Sequence, residues 1–135
     1  MSKMLIGIDC GVNTGYARTN NGELQVVSSM SIIEAMACVA SYRGQMPPIK
    51  VYIEDARKRK WFTGGREKAQ GVGSVKRDAQ IWEEFCKHQG FEYELVAPKN
   101  NKTKLDAKSF KKLTGWTCQT NEHGRDAAML IYGRK

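Results

Sequence analysis

The sequence predicts a single α/β domain over residues 1–135, with a mixed five-stranded sheet covered by helices on both faces. Three observations predict this architecture. Residues 1–30 contain three strand patterns in succession, the rest of the chain alternates short apolar strands with helical patterns, and a length of 135 residues suits one hydrophobic core. The predicted order is β-β-β-α-β-α-β-α-α, in which three strands form an antiparallel meander and two more join the same sheet.

The opening segment predicts the meander. Residues 4–9 form a short apolar strand, and the turn sequence CGVNTG follows directly. Residues 15–19 and 24–30 alternate well enough for two further strands. The Asn20-Asn21-Gly22 sequence between them favours a tight hairpin, because these residues tolerate positive φ angles.

The first helix is predicted to begin after Ser31 and to run to about Tyr42. Ser31 with Glu34 three residues later matches a capping box, and residues 44–48 contain the glycine and prolines that end the helix. Its predicted apolar stripe is Ile32, Ile33, Met36, Val39 and Ala40.

The second half of the chain predicts two more strands and three more helices. Each apolar run or helical period is bounded by glycine, proline or a capping residue. The strands are 49–54 and 92–97, and the helices are about 70–88, 106–113 and 122–132.

The composition indicates a basic globular protein. The formal net charge is +8 and the pI is near 9.4, which favours a polyanionic partner, although a merely cationic soluble surface has the same composition. The four cysteines form no CxxC pair, and Cys10, Cys38 and Cys86 lie among apolar neighbours, so we expect buried thiols in a reducing compartment. With no apolar run near the ~20 residues of a membrane span and no signal peptide, we expect a cytoplasmic protein without a membrane partner.

Acidic residues occupy the ends of predicted core elements. Asp9 closes the first strand and Glu54 closes the fourth, while Asp55 is expected on the opposite face of the sheet. In the last helix His123 and Asp126 are three residues apart and therefore share one face.

Each of these residues also has an ordinary structural explanation. Asp9 suits an Asx-turn with Gly11, and Glu54 suits a solvated strand end. His123 suits an exposed position in the first helical turn, and Asp126 suits a salt bridge with Arg125 or Arg134. Their joint arrangement is what favours a shared site.

Such a site suits phosphodiester hydrolysis with two magnesium ions, for which manganese is expected to substitute. Two ions about 4 Å apart activate the attacking water and stabilise the leaving oxygen. Magnesium prefers oxygen ligands and keeps several waters, so a few carboxylates suffice. We expect Asp9 to bridge the ions and Glu54 and Asp126 to complete the site. His123 is expected as a ligand or as a proton shuttle.

Four stretches resemble one family when they are taken in order. IGIDCGVNTGYA, VYIEDA, QGVGSVKRDA and HGRDAAMLIYG resemble the RuvC-type Holliday-junction resolvases over nearly the whole chain. The resemblance implies a ribonuclease H-like fold, a homodimer, and magnesium-dependent paired nicking of four-way DNA junctions. It assigns the catalytic and metal-binding roles to Asp9, Glu54, His123 and Asp126, and it places Lys108 near the scissile phosphate.

The chain also departs from the family pattern. It is short for a bacterial member and is more similar to the compact phage-type resolvases, whose setting would be the host cytoplasm. The loop after Glu54 is unusually basic, so no sequence preference at the cut site is carried over, and broader activity on branched DNA is expected.

Basic residues predict the DNA-binding surface. The run of Arg57, Lys58, Arg59 and Lys60 is followed by Trp61 and Phe62, which suits phosphate contacts beside stacking on an unpaired base; the alternative is that both aromatics pack on the core. Lys111 and Lys112 are expected on a solvated helix face. Further DNA contacts are expected from Arg66, Lys76, Lys99, Lys102 and Lys104.

The resemblance implies that the helix near 70–88 also forms the homodimer surface. Val72, Val75, Ala79, Trp82 and Cys86 follow a heptad-like spacing that Ile81 and Phe85 widen, and Gly71 and Gly73 permit close approach. A face of this width also serves a core alone.

Three other functions remain open at this stage. One is a protein that binds junctions with weak or no cleavage, and another is an RNA-processing nuclease of the same fold. The third is half of an actin-like ATPase, which the length of the chain disfavours.

Overall fold

The computed structural model describes residues 3–46, 48–55, 66–97 and 105–134, and for residues 66–75 it describes the backbone alone. Within these residues the chain forms five strands and four helices in the predicted order. The strands are β1 (Met4–Asp9), β2 (Asn13–Asn20), β3 (Glu23–Ser31), β4 (Lys50–Glu54) and β5 (Glu92–Val96). The helices are α1 (Ile32–Ala40), α2 (Arg66–Gln89), α3 (Ala107–Thr114) and α4 (Glu122–Ile131).

The strands form one mixed sheet in the order β3-β2-β1-β4-β5. β1, β2 and β3 pair antiparallel, and β4 and β5 run parallel to β1. The predicted α/β class and the mixed five-stranded sheet are confirmed. β1 is the central strand, so its carboxyl end lies between the end of β4 and the start of β2.

Two apolar clusters cover the two faces of the sheet. On one face Ile6 and Ile8 of β1 pack with Val39 of α1 and with Trp82 of α2. On the other face Leu5 of β1 and Tyr52 of β4 pack with residues of α3 and α4, among them Phe110, Ala127, Leu130 and Ile131. Helices therefore cover both faces, as predicted.

The helix boundaries follow their caps. The Ser31 hydroxyl accepts a hydrogen bond from the Glu34 N–H at 3.2 Å, and the Glu34 carboxylate accepts one from the Ser31 N–H. The predicted capping box is therefore confirmed. α1 ends at Ala40 rather than near Tyr42. α2 begins at Arg66, four residues before the predicted start near residue 70.

The predicted stripe of α1 is wrong at Ile33. That side chain is 77% exposed, whereas Ala35 and Val39 are fully buried against the sheet. A helix of nine residues buries a narrow stripe, and the small Ala35 lets α1 approach the sheet closely. On α2 Ala79, Trp82 and Cys86 are fully buried in the core of the same chain, which is the alternative role stated for this face, while Ile81 is 39% exposed.

The remaining expectations concern the burial of the cysteines, the apolar residues of α2 and the absence of a membrane span. Cys10 and Cys86 are buried and Cys38 is half-buried, whereas Cys118 is exposed. The side chains of Val72 and Val75 lie outside the described residues. Among the helices that are described, none is long and apolar enough to cross a membrane.

Candidate functional site

The acidic ends of β1 and β4 lie side by side at one edge of the sheet. Ile8 of β1 pairs with Ile53 of β4 in a parallel register, so Asp9 and Glu54 are the next residues on neighbouring strands. Such strands lie about 4.8 Å apart. By the alternation of the strands, Asp9 shares the face of Leu5, and Glu54 shares the face of Tyr52, which is the face that α4 covers. The backbone therefore places Asp9 and Glu54 next to each other at one edge of the sheet, as expected.

Cys10 connects the same two strand ends from the opposite face. Its thiol donates to the Glu54 carbonyl oxygen at 3.5 Å. Burial raises the pKa of the Cys10 thiol far above its ordinary range, and the negative charges of Asp9, Asp78, Glu54 and Asp55 raise it further. Asp55 was expected on this opposite face, whereas an influence of Asp78 on the end of β1 was not predicted. Asp55 is only 2% exposed.

α4 brings an imidazole onto Asp9. The Nδ1 atom of His123 lies 3.4 Å from the Oδ2 atom of Asp9, and the side chains are 44% and 15% exposed, respectively. A protonated imidazole makes this contact an ion pair, and a neutral one makes it a weak hydrogen bond. Of the four residues predicted to form the site, Asp9 and His123 are therefore in direct contact, although they come from distant parts of the sequence.

Two strand glycines explain why α4 lies so close to the sheet. A Cβ atom added at Gly15 would overlap the carbonyl oxygen of His123 and would lie 2.9 Å from the Cβ atom of Asp9. A Cβ atom added at Gly7 would overlap the carbonyl oxygen of Ala127. The α4 backbone therefore rests on the β1 and β2 backbones, and its first turn is directed to the Asp9 edge. Glycine inside a strand often marks such an approach, and this signal was present in the sequence but was not used.

Asn121 fixes the start of α4. Its side-chain oxygen accepts a hydrogen bond from the Gly124 N–H at 2.8 Å, and its amide group donates to the Ser29 hydroxyl of β3. The cap joins the helix to the sheet, and the positive end of the helix dipole points towards the carboxylates. His123 is the second residue of this helix, so the cap also controls the position of the imidazole.

Asp126 lies one turn after His123 on α4 and is half-buried. Its neighbours Ala127 and Ala128 are fully buried against the sheet. The two arginines proposed as salt-bridge partners have other contacts: Arg125 donates to the Leu105 and Thr120 carbonyl oxygens, and Arg134 pairs with Glu94 at 3.8 Å.

The basic residues predicted to bind DNA fall mostly outside the described residues. This is true of Arg57, Lys58, Arg59, Lys60, Trp61, Phe62, Lys99, Lys102 and Lys104, and of the side chain of Arg66. Lys76 lies in α2 and is half-buried, and Lys108 lies exposed in the first turns of α3. The basic loop and the aromatic pair remain predictions.

The carboxylate oxygens at this edge are the kind of ligand that a hard divalent cation prefers. The described side chains, however, are not arranged as a metal site. Over the parts of the chain that the structure describes, no three His, Cys, Asp or Glu side chains are grouped so that they could hold a metal ion. Magnesium needs only one or two protein carboxylates beside its waters, and Asp9 and Glu54 supply such oxygens from neighbouring strands. The register of β1 and β4 makes those two residues neighbours, so a shared ion between their carboxylates is compatible with the backbone.

Comparison with known proteins shows the fold. No protein-family model and no curated protein matches the sequence. The structure is similar to that of T. thermophilus RuvC in complex with a Holliday junction substrate, with a TM-score of 0.59 and 16% sequence identity over 96% of this chain and 90% of that one. The chain therefore has the RuvC-type, ribonuclease H-like fold.

Proposed function

We propose that this protein is a magnesium-dependent endonuclease that nicks branched DNA, with four-way junctions as its principal substrate. The observation that carries the proposal is the convergence at one sheet edge of Asp9, Glu54 and His123, with the 3.4 Å contact between the first and last of these. The fold shared with a protein solved on a Holliday junction supports the substrate class.

Asp9 and Glu54 would hold the metal ions, with Asp126 and His123 completing the set from α4. Bound magnesium supplies an activated water and stabilises the charge that develops on the scissile phosphate. Asp9 lies on the central strand, within reach of both β4 and α4, and so is the residue suited to bridge two ions. His123 would act on the same edge as a ligand or as a proton carrier.

Cationic residues would supply the affinity for DNA. The net charge of +8 favours phosphate contacts. We propose that the basic run Arg57–Lys60, together with Trp61 and Phe62, binds the junction. Lys108 would stabilise negative charge near the scissile phosphate. A homodimer through α2 would place two such sites about a two-fold axis, which paired nicking of a symmetric junction requires.

The decisive experiment is a gel assay on synthetic substrates. A labelled four-way junction, a fork, a linear duplex and a matched RNA junction are incubated with the protein in magnesium, in manganese and in a chelator. We expect nicks on the junction in either metal, fewer on the fork, almost none on the duplex, and none in the chelator. Products should carry 5′-phosphate and 3′-hydroxyl ends.

The same assay separates the other functions. Tight junction binding without nicks in any metal would identify a binding protein instead of an enzyme. Preferred cleavage of the RNA junction would identify an RNA-processing nuclease. Sedimentation of the free protein, compared with an Ile81→Glu variant on the exposed side of α2, tests the dimer surface independently of cleavage.

A further inference from the structure

A groove beside α3 is lined by two lysines and an aromatic side chain. It has a volume of 540 Å³ and lies between α3 and the segment that leads into α4. Volumes of about 300–1,000 Å³ suit an occupant of small-molecule size, and one nucleotide of a strand is of this size. Its lining includes Lys108, which the proposed function places near the scissile phosphate, and it ends next to the Asn121 cap of α4.

The charge of the groove favours an anion. Lys108 and Lys111 both line it, and because they are three residues apart on α3 they lie on the same side of that helix. Both are exposed, and none of the described residues that line the groove is acidic. The nearby Asp106 carboxylate accepts a hydrogen bond from the Ser109 N–H at 2.7 Å, so it is engaged in capping its own helix.

The remaining lining suits a nucleotide strand. Trp116 is partly exposed in the groove and offers an aromatic surface for a base or a sugar. Gln119 and Thr120 provide uncharged donors, and they also line a second depression of 310 Å³ on the far side of the segment, beside Ser28 and Ser29. The two depressions therefore border one another, and the path between them passes the start of α4.

We infer that this groove binds the sugar-phosphate backbone of a DNA strand as it leaves the cleavage edge. The inference rests on the proposed function only in taking DNA as the substrate. Phosphates contact Lys108 and Lys111, and the adjoining nucleotide lies against Trp116. The polar groups of the second depression hold the next part of the strand.

Cys118 provides a native probe, because it lines the groove and is exposed. Cys10 and Cys86 are buried, and Cys38 is half-buried and is replaced in a Cys38→Ser background. The rate of maleimide labelling at Cys118 is measured in chelator, with and without a saturating four-way junction, while fluorescence anisotropy reports binding in the same sample. We expect labelling to slow to the rate set by the unbound fraction. An unchanged rate on fully bound protein would overturn the inference.

Two neighbouring lysines provide a matched pair of variants. Lys111 lines the groove, whereas Lys112 is exposed on the same helix outside it. For Lys111→Ala, the salt dependence of junction binding (the slope of log K against log salt) should weaken by about one unit, as expected for one lost phosphate contact. Lys112→Ala should keep the original slope. Equal slopes in the two variants would overturn the assignment.

These measurements separate the two proposals. If DNA protects Cys118 but the protein does not nick in magnesium, the groove assignment stands and the nuclease proposal fails. If the protein nicks DNA but DNA does not protect Cys118, the nuclease proposal stands and the groove assignment fails. If the protein binds no DNA under any condition, both fail together.

Discussion

The Nδ1 atom of His123 lies 3.4 Å from the Oδ2 atom of Asp9, although 114 positions of sequence separate the two residues. An imidazole nitrogen can donate or accept a hydrogen bond and can bind a metal ion. The contact places this imidazole directly beside the carboxylate at the end of the central strand. Such a partner suits the metal site that is proposed at this edge.

Replacing Asp9 with Asn should remove nicking and preserve junction binding. The amide keeps the shape of the side chain but loses the charge that would hold the metal, and losing several kcal/mol of charge stabilisation lowers the rate about a thousandfold or more. Gel assays and anisotropy measure the two properties separately. The control is Glu23→Gln, which removes one exposed carboxylate from the start of β3. Unchanged nicking by Asp9→Asn would refute the site.

Replacing Gly15 with Ala should impair nicking more than it impairs folding. The new methyl group would overlap the His123 carbonyl oxygen, and the start of α4 must move away from Asp9. Overpacking of this kind costs about 1–3 kcal/mol in the free energy of unfolding. Urea denaturation and the nicking rate are measured together.

Gly7→Ala is the matched control for that variant, since it meets the same helix at Ala127, one turn further along. It should lose similar stability and retain more activity. Equal loss of activity at equal stability would show that the position of His123 is not what matters.

Replacing Asn121 with Ala should destabilise the start of α4. The variant loses the acceptor for the Gly124 N–H, and loss of an N-cap costs about 1 kcal/mol in the free energy of unfolding. Asn121→Asp retains that acceptor and loses only the amide that donates to Ser29. Chemical denaturation should therefore place the Asp variant close to the original protein. An Ala variant as stable as the original would contradict the capping role.

The free energy of unfolding should fall at alkaline pH. Burial raises the pKa of the Cys86 thiol from 9.0 to about 12. The unfolded thiol therefore loses its proton first, and the unfolded state is favoured as pH rises. The contribution is complete below pH 9 and is lost progressively towards pH 12. Denaturation curves between about pH 8 and pH 11 measure this slope. Cys86→Ala should flatten it, and an unchanged slope would exclude this thiol as a source.

The strands and the acidic edge were predictable from local patterns. The hairpin at Asn20-Asn21-Gly22 is confirmed by the positive φ angles of Asn21 (56°) and Gly22 (85°). Asp9 and Glu54 were expected together because each closes a predicted core strand, and the structure makes these two strands parallel neighbours. The i,i+3 spacing of His123 and Asp126 likewise follows from helix geometry alone.

Other features depended on tertiary packing and were missed. Periodicity predicted that Ile33 belongs to the core. Which side chains of a short helix are buried depends, however, on how the helix contacts the sheet. Among the acidic residues that raise the pKa of the Cys10 thiol, Asp78 comes from α2, and no local pattern joins it to the strand ends. The closeness of α4 to the sheet depends on glycines whose partners lie far along the chain.

The backbone contacts at Gly7 and Gly15 have a consequence for divergence and design. Where helix and sheet meet through main-chain atoms, their spacing is set by the absence of two side chains and not by the shapes of many. Apolar residues elsewhere in the interior are then free to exchange for others of similar bulk while the geometry at the strand ends persists. A redesigned or distantly related chain should keep the spacing between Asp9 and His123 as long as these two positions remain glycine.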